Sequence, residues 1–484
     1  MRAAFALVLL AVPVRAADPK PLEFQLTFDR AACAEPFTGR VYVTFRQNNP
    51  ASPPVGLNWF RPEPGLALDV KDWKPGTPLT IGAKAMAFPA PLADLKPGKY
   101  HVCAVMDRDL GGIDFLSSPG NVHSKTVQLD LDPSKGGTVE LKLDQVAKGR
   151  AFEETANVKL FEIESKLLTK FHGKPTALRA GVVLPPSFAK TPERTYPVVY
   201  EVTGFGGNHF AAFGAANRKA WDLNGTEALW VVLDGNCRLG HHVFADSANN
   251  GPVGTALVTE LIPALEKTFR GSGKRAATGH SSGGWSSLWL QVAYPETFAG
   301  CWSTAPDPVD FRDFQTIDIY AKGANAFKDA KGGARPLARQ NTRPALFFQP
   351  FSDMERFMGR GGQLGSFDAV FSPRGADGKP KQLWNRDTGA IDADVAKAWE
   401  RYDIRLVLAR NWKVLGPKLA GKIHVFMGDE DTFYLDGPCR LLKAELAALK
   451  SDAVVELFPN RHHGNLVDPA LRKRMNAEMG AALK

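Results

Sequence analysis

The chain has 484 residues, 44% hydrophobic and 23% charged, a composition that belongs to globular proteins and excludes a disordered or fibrous one. That length exceeds what one ordinary hydrophobic core accommodates, so two domains with an insertion are expected. The formal charge of +9 comes from Lys and Arg spread along the chain, without a dense basic run or interleaved aromatics, which argues against nucleic acid as a partner.

Residues 1–16 read as a secretory signal peptide: Met1-Arg2, an apolar run from Ala3 to Val14, then Arg15-Ala16-Ala17 before the polar Asp18-Pro19-Lys20. The run is too short to span a bilayer, and no later stretch is long and apolar enough, so a secreted or periplasmic protein without stable membrane insertion is expected. The five cysteines (Cys33, Cys103, Cys237, Cys301, Cys439) are scattered with no C-x-x-C pair. An oxidising compartment would permit one or two disulfides, and the odd count leaves at least one thiol unpaired.

Residues 17–148 show short alternating runs between Pro/Gly clusters. Phe24, Leu26 and Phe28 alternate with Glu23, Gln25 and Thr27, the period of a half-buried strand, and similar runs occur at 40–45, 98–106 and 137–143. This spacing predicts a small all-β sandwich domain.

From 149 to 484 strands alternate with helices. Tyr196 to Val202 and Ala228 to Leu233 are apolar strands, 255–269 an apolar-faced helix, 276–278 a short strand, 282–294 a helix and 300–304 a strand. After a Gly/Pro/Arg-rich stretch at about 306–419, read as an insertion, the pattern resumes with strands at 422–427 and 454–458 and helices at 437–449 and 469–483. The fold class is therefore α/β, a doubly wound and mostly parallel sheet.

Gly279-His280-Ser281-Ser282-Gly283 lies between a strand and a helix. A serine on such a sharp turn needs small neighbours, is exposed by the turn, and has the N–H of Ser282 aimed at an incoming carbonyl oxygen. A hydroxyl is a weak nucleophile at neutral pH and needs an imidazole oriented by a carboxylate. Downstream lie three histidines: His424 inside a strand, which suggests packing, and the loop pair His462-His463, of which His463 beside Gly464 is favoured and His462 stays open. The acid comes from Gly428-Asp429-Glu430-Asp431, with Asp431 favoured over Asp429. The Thr203-Gly204-Phe205-Gly206-Gly207 loop supplies a second oxyanion donor, Phe205 with Gly206 as alternative. No cofactor is called for. No metal is expected either, since adjacent pairs such as His241-His242 diverge and no His-Glu-x-x-His is present.

Together these residues resemble the putative esterase family of the α/β-hydrolases, the group of esterase D, feruloyl and enterochelin esterases. The resemblance runs from Phe161 onward through Tyr196-Pro197-Val198-Val199-Tyr200, Glu260-Leu261-Ile262-Pro263 with Glu266-Lys267, Gly279 to Gly284, Tyr294 to Gly300, Gly428 to Asp431 and His463-Gly464. It implies an α/β-hydrolase fold with Ser281 as nucleophile, Asp431 as acid, His463 as base, and Phe205 and Ser282 as backbone oxyanion donors. Thr203-Gly204 stands where many members have His-Gly.

The expected activity is hydrolysis of a small-molecule or sugar-linked carboxylic ester through an acyl-enzyme, with polysaccharide or envelope contact through the sandwich. Two alternatives remain at this stage: a serine peptidase of the prolyl-peptidase type, and a non-catalytic carbohydrate- or envelope-binding protein. Trp285, Phe357, Trp384 and the 241–250 loop are either pocket wall or core.

Overall fold

The computed structural model describes residues 21–48 and 50–484, so the leader expected over 1–16 lies outside the described residues. The chain divides into two compact units. The smaller comprises residues up to Pro54, Glu63–Met106 and Val122–Val146, and the larger Val55–Pro62, Asp107–Asn121 and Ala147–Lys484. Two short segments that interrupt the all-β region in sequence thus belong to the larger unit.

In the smaller unit the alternation of Leu22–Phe28 is realised as a strand whose Leu22, Phe24, Leu26 and Phe28 are buried while the intervening residues are half-buried. Its core joins these to Val41, Val43 and Phe45, to Val102, Ala104 and Met106, and to Leu141 and Leu143. Phe28 meets Trp73 edge-on at 4.6 Å. The sequence predicts two stacked sheets. Instead the pairing joins all nine described strands into one hydrogen-bonded sheet, with Leu22–Phe28 and Gly137–Val146 paired in parallel. Alternation reports which face of a strand is buried, not which strand it pairs with, so the difference could not be read from the pattern.

The larger unit is built on eight strands: β1 (Val158–Glu164), β2 (Ala177–Val183), β3 (Tyr196–Val202), β4 (Leu229–Leu233), β5 (Gly271–His280), β6 (Gly300–Thr304), β7 (Ile423–Gly428) and β8 (Val454–Phe458). Their order is β1-β2-β4-β3-β5-β6-β7-β8. The β1–β2 and β2–β4 pairs are antiparallel and all others parallel. This is the sheet expected for an α/β-hydrolase. The central strands are apolar because both faces are covered: all five residues of β4 are buried, as are Ala276–Gly279 of β5. β5 is longer than its apolar stretch because its first residues, polar and partly exposed, still pair with β3.

The helix expected at 255–269 begins at Val253 and contains a π-helical turn at Leu257–Leu261 before Ile262–Phe269. Pro263, which lacks an N–H, follows directly on that π-helical turn, where the i→i−4 hydrogen-bond ladder is already interrupted. Two family-motif glutamates have structural roles here. Glu260 accepts from the Ser165 hydroxyl and the Leu167 N–H. Glu266 pairs with Arg275 at 2.7 Å and accepts from the Tyr200 hydroxyl at 3.0 Å, tying this helix to β3 and β5.

Residues 306–419 hold more regular structure than their composition suggests: a hairpin (Pro336–Gln340 with Arg343–Phe347) and helices Phe348–Met358, Gln363–Phe371, Ala393–Trp399 and Ile404–Leu419. Phe348, Phe351, Met354 and Phe357 recur at helical spacing and are buried. The run ends at Gly359, whose φ of 80° stops the helix, and this break hides the periodicity. All five cysteines are free, so the one or two disulfides that an oxidising compartment would permit are not formed. No helix among the described residues is long and apolar enough to cross a membrane.

Candidate active site

In a mostly parallel sheet the loops at the carboxyl ends of the strands gather on one edge. The loop after β3 carries Thr203–Gly207, the turn after β5 Ser281, the loop after β6 Asp307, the loop after β7 Asp431 and the loop after β8 His463. Widely separated residues therefore meet at one place.

Ser281 occupies a conformation few non-glycine residues adopt, φ 61° and ψ −124°. Its neighbours over-determine that conformation. Its N–H donates to the Thr304 carbonyl (3.0 Å), while its own carbonyl accepts from Trp285 N–H (3.0 Å) and Asp307 N–H (3.2 Å). The flanking glycines are steric requirements: a Cβ on Gly279 would stand 2.2 Å from the Gly283 carbonyl oxygen, and one on Gly283 would stand 1.9 Å from that of Val202. Helix Ser282–Ala293 starts directly after Ser281 without a side-chain cap, so the N–H groups of its first turn remain open to a ligand.

The glycine loop after β3 closes the other side. A turn from Gly204 to Gly207 is locked by the Gly207 N–H to Gly204 carbonyl bond (3.0 Å), with Gly206 at φ 80° as its third residue. A Cβ on Gly204 would lie 3.3 Å from that of Ser281, so this loop lies directly against the serine. Phe205 lines the same cleft, and its N–H has no acceptor among the described residues. Gly206, the alternative donor, occupies the strained position of the turn.

His463 faces this cleft with Ser281. Its Nδ1 lies 2.7 Å from Oδ2 of Asp431, a fully buried carboxylate whose Oδ1 accepts from the N–H of Phe433 (2.8 Å). Burial by itself would lower the His463 pKa. The charge and hydrogen bond of Asp431 outweigh it, so the imidazolium persists above the usual histidine range.

The competing candidates are placed elsewhere. Asp429 accepts from the N–H of Asn460 and braces the two loops (2.8 Å). His462 accepts from Gly464 N–H and is exposed. His424 stacks on Trp302 at 4.6 Å, as packing inside a strand predicts.

Arg339, on the hairpin of Pro336–Gln340 with Arg343–Phe347, holds the Asp431 loop in place. Its backbone N–H donates to the Thr432 carbonyl (2.7 Å), its Nε donates to the Asp431 carbonyl (2.8 Å), and its guanidinium pairs with Asp436 at 2.8 Å.

The cleft encloses about 290 Å³. Its aromatic wall is Trp59, Phe205, Phe351, Phe367 and Phe433, not the candidates named from sequence: Trp285, Phe357 and Trp384 are core residues. Helical spacing in 348–358 could have indicated Phe351, whereas nothing local marks Trp59. Sequence reading also passed over His280, Asp307 and Gln363, which line the cleft. His280 sits 4.6 Å from the His463 ring, and burial pushes its pKa down to about 4, so it stays neutral beside the imidazolium. Asp307 could have been found by the same strand-edge logic that selects Asp431, since each lies three residues past the end of a buried strand.

The chain is similar to several solved structures, none with a TM-score reaching 0.5. A ferulic acid esterase shares 13% identity, covering 68% of this chain and 98% of its own, at a TM-score of 0.41. An S-formylglutathione hydrolase from Agrobacterium tumefaciens shares 16%, covering 68% and 98%, at 0.42. A fluorophosphonate-binding serine hydrolase from Staphylococcus aureus shares 13%, covering 67% and 98%, at 0.39. Among curated proteins none matches. The family model described as "Putative esterase" matches residues 175–453, more than half of the chain, and spans β2 to β7 with the glycine loop, the Ser281 turn and the Asp431 loop. The chain belongs to this putative esterase family and is a carboxylic ester hydrolase.

Proposed function

We propose that the protein hydrolyses its ester in two steps through a covalent acyl-enzyme on Ser281. His463 takes the proton of the Ser281 hydroxyl as the oxygen attacks the ester carbonyl, and the N–H groups of Phe205 and Ser282 receive the developing oxyanion. His463 then protonates the leaving alcohol, and afterwards activates the water that releases the acid. Asp431 orients the imidazole and stabilises its charge.

One observation carries this reading: a serine held at φ 61° on a strand-to-helix turn shares a cleft with a histidine whose far nitrogen lies 2.7 Å from a buried carboxylate. A fluorophosphonate probe tests it. Labelling of the wild type and none of Ser281→Ala is expected, and a folded wild type that resists labelling would refute the reading. Faster turnover of nitrophenyl esters than of a prolyl nitroanilide is expected, and the reverse would favour a peptidase.

The reading extends to a secreted or periplasmic enzyme, because residues 1–16 have the pattern of a cleaved leader. It also takes the all-β unit as a module that contacts a polysaccharide or envelope polymer bearing the ester. An exported chain that begins at Ala17 and co-sediments with insoluble polysaccharide is the expected result. A chain retaining its leader in the cytoplasm, or one that stays in the supernatant, would remove the corresponding half.

A further inference from the structure

Asp307 has no part in the chemistry above, yet it stands beside it. Its N–H is bonded to the carbonyl of Ser281, and its carboxylate accepts from the Ser282 hydroxyl at 2.6 Å and from Gln363 Nε2 at 3.2 Å. Both of these donors converge on Oδ2. A carboxylate offers about four acceptor positions, so Oδ1 is left with no donor among the described residues. The residue is only 6% exposed and what it shows lines the cleft. Burial accordingly pushes its pKa up to about 6, against the pull of Ser282 and of the positive charge on His463.

Gln363 repeats the pattern. Its Nε2 also donates to the Ser282 hydroxyl at 3.2 Å, and this fixes which way round the amide sits, because a carboxylate beside it can only accept. Its Oε1 is then buried without a partner. Glu355 pins the start of the helix carrying it by accepting from the N–H groups of Leu364 (2.7 Å) and Gly365 (2.8 Å), so Gln363 is held in place before any ligand arrives. Asp307 and Gln363 therefore form one polar corner of a cleft whose remaining wall is chiefly aromatic, with the Asp307 Oδ1 as its open acceptor and the Gln363 Oε1 buried behind it. What they lack is a donor.

We propose that Asp307 and Gln363 form a subsite for a hydrogen-bond donor carried by the substrate, a hydroxyl or a protonated amine close to the scissile carbonyl. The closeness follows from the connections: Asp307 is bonded through its main chain to the nucleophile and through its side chain to the next residue, Ser282, whose N–H faces the oxyanion. The subsite selects hydroxyacyl and aminoacyl esters over plain acyl esters of the same length. It rests on Ser281 being the nucleophile.

The test compares methyl butyrate with methyl α-hydroxybutyrate, β-hydroxybutyrate and β-aminobutyrate, in wild type, Asp307→Asn and Gln363→Met. The preference is the ratio of kcat/KM for each substituted ester to that for butyrate, and its change between proteins cancels the intrinsic reactivity of the esters. A wild-type preference of about tenfold or more for at least one substituted ester is expected, falling at least about threefold in either variant. Gln363→Met carries the test if Asp307→Asn fails to fold. A wild type that labels with fluorophosphonate yet shows no preference, or a preference unchanged in the folded variants, overturns the subsite alone. A wild type that neither labels nor hydrolyses any of the esters overturns the nucleophile assignment and the subsite with it.

Discussion

At the turn after β5 the restraints are backbone and glycine: three main-chain hydrogen bonds fix Ser281, and Gly279, Gly283 and Gly284 tolerate no Cβ. Across the cleft the wall is held by side chains from distant parts of the chain. Trp59 meets Phe351 edge-on at 5.0 Å and approaches Phe205 and Phe433 at 5.9 and 6.1 Å. The turn is rigid because alternatives are sterically forbidden, whereas the wall is a set of exchangeable ring contacts, each worth on the order of 1 kcal/mol. A rigid turn beside an exchangeable wall lets one chemistry be fitted to different esters, and the two regions should fail differently when altered.

The largest effect is expected at the turn. Gly283→Ala would drive a methyl group into the Val202 carbonyl, which neither strand nor helix can yield to without breaking the sheet edge. Loss of several kcal/mol is expected, enough to abolish cooperative unfolding near physiological temperature. A thermal melt within a few degrees of wild type would mean that the turn is softer than its contacts imply.

Next come the histidines. His463→Ala should lower kcat by roughly 10³-fold or more, while His462→Ala, whose ring lies at the surface, should stay within a few-fold. Equal losses would break the assignment of roles between these neighbours.

The contrast between turn and wall also explains what could be read in advance. The triad candidates and the sheet were legible because their signals are local: apolar runs of strand length, a Gly-flanked serine between a strand and a helix, and charged or imidazole residues just past strand ends. The 203–207 loop beside Ser281 was marked by its glycines for the same reason. Trp59 was not legible, since it lies well over a hundred positions before the rings it touches and sits among Pro and Gly residues typical of any loop. Gln363 was hidden because its meaning depends on Asp307 and Ser282 converging from two other segments. The single sheet of the smaller unit escaped for a related reason: strand positions are local properties, strand partners are not.

Arg339 tests the border between the two regions, since it belongs to the 336–347 hairpin but grips the Asp431 loop. In Arg339→Met the pairing with Asp436 and the bond to the Asp431 carbonyl are lost, although the Asp431 side chain keeps its own N–H donor from Phe433. A loss of about tenfold in kcat/KM is expected, some 1.4 kcal/mol. The pH profile should move as well. The proposed mechanism needs neutral His463, and its raised pKa then places the acid limb of wild-type kcat/KM above pH 6.5. A looser Asp431 weakens the interaction that raises this pKa and leaves burial, which lowers it, so the limb should shift toward lower pH. A shift the other way would show that Arg339 does not act through Asp431.

The smallest effect is expected at the wall. Trp59→Ala removes one partly exposed ring from a cleft whose other rings stay in place, so the reacting groups are undisturbed while part of the substrate loses a surface. Binding lost equally from ground and transition states raises KM and spares kcat. An increase of a few-fold in KM is therefore expected, greater for esters with bulky apolar acyl groups than for acetate, with kcat within about twofold. If kcat falls instead and KM holds, Trp59 contributes to the positioning of Phe205 beside Ser281, and the wall is part of the catalytic apparatus rather than a replaceable lining.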